Sequence, residues 1–277
     1  MKKQLFVIGV ALLLFSVLLF GVGTASAADA TQTTSAAPAQ EADATAAMTE
    51  SVTVTVPFLE QWMGSPHADA ASEAFRHWDE EDPAEIPVEC AKCHSSTGFQ
   101  DYVGADGSEV GTVEAAVAPG TVVDCVACHN SGTINKDSVT MPSGLVLTNL
   151  GDESRCMECH QGRESKISVD QAIADSGADL DTVSEDLRFL NIHYYAAAAT
   201  KYGTLAKGGY EYDGKAYDGN FMHVEGYETC IGCHNSHTLE VKVEECAECH
   251  EDVEAVEDLR EVRMAGSTVD YDGDGDL

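Results

Sequence analysis

The sequence predicts a single domain that is mainly α, with extensive loops and little β. Three observations lead there. All ten cysteines fall in C-x-x-C pairs, each the length of one helical turn. Aromatic residues are 7% of the chain, too few for a large conventional core, because aromatic side chains carry much of the burial in ordinary cores. Helix caps recur between Phe58 and Tyr202, whereas only residues 209–219 read as a β-hairpin.

The cysteine pairs are Cys90–Cys93, Cys125–Cys128, Cys156–Cys159, Cys230–Cys233 and Cys246–Cys249. Each is followed at once by a histidine: His94, His129, His160, His234 and His250. C-x-x-C-H is the attachment pattern of c-type haem. The two thiols add to the two haem vinyl groups, and the histidine is the proximal axial ligand of the iron. Other chemistry also uses C-x-x-C. Two pairs make a Cys₄ zinc knuckle, an even cysteine count in an exported protein makes a disulfide framework, and a lone pair makes a redox dithiol. None of these requires a histidine after every second cysteine. With ten histidines in 277 residues, five such placements by chance run on the order of one in ten million, so the pattern reads as five covalent haem c groups. The domain is then a haem-cored multihaem cytochrome c domain, stapled by thioethers and iron–histidine bonds.

Haem is attached to such chains outside the cytoplasm, and the start of the chain agrees. Lys2 and Lys3 precede an apolar stretch from Leu5 to Gly23 and then Ala25-Ser26-Ala27. That order is a secretory signal peptide over residues 1–27 with a small-residue cleavage site. It predicts a periplasmic, extracellular or cell-surface location. The apolar stretch is also about long enough to span a bilayer as an uncleaved anchor, the one membrane attachment the sequence offers. Residues 28–50 are rich in Ala and Thr and lack aromatics, so they cannot bury a core and read as a disordered tether. Residues 51–277 form one domain by size.

Local signals then place the elements in order. A first helical segment from Phe58 breaks at Gly64-Ser65-Pro66. Ser65 as N-cap and Pro66 in the first turn start a helix to about Asp79, with His67 near its start and His77 near its end. Each C-x-x-C-H begins or lies in a short helical turn. A short helix from Ser168 ends near Gly177. Thr182 and Glu185 form a capping box for a longer helix from Thr182 to Tyr202 that Gly203 terminates, with His193 in its middle. Residues 209–219 read as a hairpin turning at Asp213-Gly214.

Five histidines lie outside the motifs: His67, His77, His193, His223 and His237. Each haem iron has one proximal histidine and one further axial position, so the inventory closes at two histidines per iron. A lone histidine is usually a surface or internally hydrogen-bonded residue. Equality of the two counts is what marks these five as distal ligands, with Met63, Met222 or a lysine as substitutes. His237 lies three residues after His234, too close to reach the opposite face of the same iron, and is expected to ligate a neighbouring haem. His67 and His77, ten residues apart on one helix, would point from different faces and serve different haems.

The stretches GDESRCMECHQGRES, NIHYYAAAATKYG, KGGYEYDGK, HVEGYETCIGCHNSHTLEVKVEECAECH and MAGSTVDYDGDGD resemble a group of exported bacterial multihaem cytochromes. That group is often labelled as related to ammonia-forming cytochrome c nitrite reductase of the c552 type. The resemblance covers most of the chain from Ser51. It implies haem c and electron transfer, and its label implies nitrite reduction. Here the sequence departs: ammonia-forming nitrite reductases typically keep an active haem in a C-x-x-C-K motif, and all five motifs of this chain end in histidine. The resemblance also implies a chain that continues past Leu277.

The net charge is −33, and loss of Lys2 and Lys3 with the signal peptide makes it more negative. This excludes nucleic acid and anionic lipid as natural partners. It suits a cationic redox partner protein or an extracellular acceptor. Asp270, Asp272, Asp274 and Asp276 alternate around Gly275, as in the first half of an EF-hand calcium loop or in a solvated acidic tail. Two functional classes follow. With two histidines on every iron, substrate has no access to the metal, and the protein is an electron carrier in anaerobic respiratory or extracellular electron transfer. With one open iron it is an oxidoreductase for nitrite or hydroxylamine. A filament of copies in haem contact is a self-associated form of the carrier.

Overall fold

Short helices joined by long loops make up the structure, a computed structural model that describes residues 55–263 except 180, together with Gly273 and Gly275. The segments expected to be a signal peptide over 1–27 and a tether over 28–50, and the calcium candidates Asp270, Asp272, Asp274 and Asp276, lie outside the described residues. No helix among the described residues is long and apolar enough to cross a membrane.

The helices are short because their own sequences stop them. Helix α1, Leu59–Met63, ends at Gly64 two residues before Pro66, whose ring cannot continue a helix. Pro66 opens a new turn as expected, but it lasts one 3₁₀ turn, Pro66–Ala68. Asp69 then bends the chain, its carbonyl accepting from Ser72 N–H and its side chain from Ala71 N–H. Ser72 caps a separate helix, α2, Glu73–Arg76. The single helix expected from Ser65 to Asp79 is therefore two pieces, and His67 and His77 do not share one.

The cysteine motifs nucleate helices of their own. Helix α3, Val88–His94, contains the first motif; its start is held by the Pro87 carbonyl, which accepts from Cys90 and Ala91. Ser95 divides it from α4, Ser96–Tyr102, and caps the latter through Gly98 N–H. The two helices fold back so closely that a Cβ on Gly98 would stand 2.4 Å from the Ala91 carbonyl oxygen. Helix α5, Cys125–Cys128, is capped by Asp124, a side chain favoured at that position because it satisfies a free backbone N–H.

The hairpin is not where the sequence pointed. Strands β1, Ser138–Thr140, and β2, Val146–Thr148, pair antiparallel with Val139 opposite Leu147. Pro142-Ser143-Gly144 makes the connection, with Gly144 at φ 83°. Around 209–219 the Asp213-Gly214 turn forms, and Lys215 N–H donates to Tyr212 C=O. The flanks do not pair. Their backbone groups are used elsewhere: Asp218 C=O accepts from Thr204 N–H, and Asn220 and Phe221 donate to Tyr202 and Lys201.

Helix α6, Glu153–His160, holds the third motif. Helix α7, Lys166–Ser176, ends at Gly177 in the left-handed region as expected, but it starts before Ser168 because Ser165 and Ser168 form a reciprocal capping box. The helix predicted from Thr182 to Tyr202 shrinks to α8, Ala197–Ala206. Gly203 lies inside α8 in a non-helical conformation, and Lys207 is its cap. Residues 191–196 are instead drawn over the third motif. Arg163 N–H donates to Ile192 C=O, the Tyr195 carbonyl meets His160 Nδ1, and Asn191 Oδ1 accepts from His193 N–H. These long-range bonds outcompete a local capping signal whose helical gain per residue is small. Helix α9, Cys230–Cys233, capped by Thr229, and α10, Val243–Ala247, complete the series.

Burial is divided among three small clusters. The largest joins Val139, Met141, Leu150 and Met157 to three alanines of α8. A second is Trp78, Ile86 and Ala91, and a third is Phe99, Val103 and Ala127 with Cys159 against them. Large apolar side chains such as Phe189 and Tyr195 stay exposed. The described chain is thus mainly helix and loop with one small hairpin, and its apolar protein core is divided and thin.

Candidate haem centres

The structure brings motif histidines close to histidines from outside the motifs. His129 meets His237 with ring centres 6.3 Å apart and planes 8° from parallel. His160 meets His67 at 6.3 Å, His250 meets His223 at 6.2 Å, and His94 meets His193 at 5.8 Å. Two imidazoles on opposite faces of one metal ion, each bonded at about 2 Å, have ring centres about 6 Å apart. The pairs therefore have the separation that an iron between them requires, and the residues present fit the group.

Each partner is positioned by local structure. Asn235 Oδ1 accepts from the N–H groups of His237 and Thr238 and folds the loop after the fourth motif; His237 also stacks on Phe58 at 4.5 Å. His67 is tied in by Val123 N–H, which donates to its carbonyl. His193 sits at φ 85°, a conformation that costs a non-glycine residue energy. The loop carrying it lies on Gly162, where a Cβ would come within 2.8 Å of Ile192 Cγ1.

On the motif side, Nδ1 of His94, His160 and His234 is hydrogen-bonded to the carbonyls of Ala74, Tyr195 and Leu239, at 2.7, 3.0 and 2.9 Å. A metal-binding histidine is commonly oriented this way, its other ring nitrogen left for the metal. Burial pushes His67 down to about 4, with His160 contributing, and lowers His94 and His193 as well. These rings are held neutral, with lone pairs free.

The motifs are also fastened to one another. The first and third are reciprocal: Cys93 Sγ donates to the Glu158 carbonyl at 3.9 Å and Cys159 Sγ to the Lys92 carbonyl at 3.8 Å. Lys92 and Glu158, each the residue just before its motif's second cysteine, face each other at 3.5 Å. Buried Glu158 also binds Lys136 at 2.6 Å and accepts from Gln161. Glu153, likewise buried, takes Lys201 Nζ at 2.8 Å and the Cys230 N–H at 3.0 Å, joining the third motif to the fourth. Lys242 links the fourth to the fifth, donating from its backbone to Cys233 C=O and accepting from Cys246 Sγ. Sequence reasoning passed over Lys92, Glu158, Glu153 and Lys201. The available signal was opposite charge at matched positions inside two motifs.

Residues 73–161 match the family model of cytochrome c7 and related cytochrome c. The matched segment contains the first three motifs, with Cys90 to His94, Cys125 to His129 and Cys156 to His160. It supports a multihaem c-type cytochrome, a protein that binds haem c covalently and transfers electrons. It lends nothing to the nitrite-reductase label. No curated protein and no solved structure matches the chain.

Two of the ten histidines stand outside the four pairs. His234 is exposed and faces none of the other imidazoles. His77 is exposed at the end of α2, its Nδ1 3.0 Å from Glu73 Oε1 and its ring edge-on to Trp78. The structure does not bring these two together.

Proposed function

We propose that the chain is an exported five-haem electron carrier serving anaerobic respiratory or extracellular electron transfer. The observation that carries this reading is the set of four histidine pairs with ring centres 5.8 to 6.3 Å apart. Bound haem supplies one-electron iron chemistry at each motif. The residues of the chain hold and tune it. Ten cysteines would anchor the groups, and His94, His129, His160, His234 and His250 would each ligate the iron of their own motif. His67, His193, His223 and His237 would supply a second ligand at four of them and keep water and substrate from the iron. Paired imidazole ligands in an acidic protein favour the oxidised state and low potentials. The Lys92–Glu158 contact and the Glu153 bridge keep neighbouring motifs side by side, an arrangement suited to passing electrons from one site to the next. The charge of −33 draws a cationic partner and repels anionic substrates.

The test is turnover. Holoprotein reduced with viologen should give up several electrons over a broad range of potentials and reduce neither nitrite nor hydroxylamine in the steady state. Sustained turnover of either would make the protein an oxidoreductase and overturn the carrier reading.

A further inference from the structure

The histidine inventory leaves one motif histidine and one outside histidine unpaired in the same chain. Both carry the marks of a ligand. His234 Nδ1 is hydrogen-bonded to the Leu239 carbonyl and His77 Nδ1 to the Glu73 carboxylate. Each arrangement leaves Nε2 available, and a carboxylate partner makes an imidazole a stronger donor to metal. Both side chains are exposed, that of His77 at 58%. His77 is not the partner of the first motif either: Trp78 touches both His77 and His94 edge-on, and the His94 ring already lies 5.8 Å from that of His193. Leaving His234 unmatched would waste an axial position, while leaving His77 unmatched would leave a carboxylate-oriented imidazole in solvent. One arrangement satisfies both.

We infer that His77 of one copy is the distal ligand for the iron held by His234 of a second copy, so that chains associate through this bond. This rests on the reading of the motifs as haem sites and deepens it. Two such contacts made reciprocally close a two-fold dimer, and one made in a single direction generates rings or open chains. Each copy carries −33, so association must overcome mutual repulsion that salt screens within about 10 Å at 0.1 M. Assembly therefore grows with ionic strength, opposite to the behaviour of an oligomer held by surface ion pairs.

The experiment uses holoprotein whose haem content has first been measured, because fewer than five haems would fail the underlying reading before any ligand is added. Sedimentation and carbon monoxide binding to the reduced protein are followed across a dilution series. Concentrated protein in high salt should be associated and bind almost no carbon monoxide. Dilute protein should be monomeric and bind one carbon monoxide per chain, one haem in five. His77→Ala should be monomeric and bind one per chain at every concentration. Mixed with His234→Ala, it should form one-to-one dimers that extend no further, since each variant supplies what the other lacks. Wild-type protein that stays monomeric and binds no carbon monoxide at any dilution would overturn the inference, because the sixth ligand would then come from the same chain. So would associated protein that binds one carbon monoxide per chain, with His77→Ala associating equally well. The dilution series on wild-type protein decides the matter even where a variant fails to fold.

Discussion

His237 shows what a single residue does in this protein. It follows His234 by three positions, yet its ring faces His129, so the loop after the fourth motif reaches across to the second. His237→Met should keep five haems, convert one His/His iron to His/Met and raise that potential by on the order of 0.1 V or more, since methionine favours the reduced state. An unchanged redox titration would show that His237 is no ligand. Glu158 is the second case. It is buried against Lys92 and Lys136, and removing one member of a buried ionic cluster leaves uncompensated charge. Glu158→Ala should cost about 3–5 kcal/mol in chemical denaturation. Asp79→Asn, which breaks the exposed Arg76–Asp79 pair, should cost less than about 1 kcal/mol. Equal losses from the two would contradict the assignment of Glu158 as the clasp between motifs.

Among the elements, α3 and α4 meet in a close backbone contact. The Ala91 backbone lies where a Cβ of Gly98 would be. Backbone must move to admit even one methyl group, so Gly98→Ala should destabilise the fold by about 1–3 kcal/mol, read as a lower denaturation midpoint. The elements also show what the sequence could express. Motif helices and the glycine end of α7 were legible because their signals are local, whereas the Ser165 cap that starts α7 was passed over. The Thr182–Tyr202 helix failed because its capping box was a local signal overruled by distant bonds to Arg163 and His160. The hairpin near 209–219 failed in the same way, its turn correct and its second flank committed to α8. The true hairpin was readable in the β-branched residues on either side of Pro142-Ser143-Gly144. Within the candidate site, the ten motif cysteines and five following histidines were legible from spacing alone. The pairing of histidines was not, since it depends on loops such as 191–196 whose course only the folded chain defines.

At the scale of the whole molecule, the apolar protein core is thin and split into three clusters, and the net charge is −33. A chain with so little apolar packing depends on its prosthetic groups for cohesion, and one with so much negative charge depends on solution ions for its encounters. Electron exchange with a cationic partner should therefore be fastest at low salt and fall steeply as ionic strength rises, because the steering field is screened over a Debye length. A stopped-flow rate that does not vary with salt would rule out charge steering. Beneath every other expectation lies the reading that the five motifs each hold one covalent haem. Intact mass of the protein matured in a host able to attach haem tests this most directly. The mass should exceed that of the processed chain by five haems, with no cysteine left to alkylate. A gain of four haems or fewer, or a mass accounted for by zinc or disulfides on those ten cysteines, would contradict it.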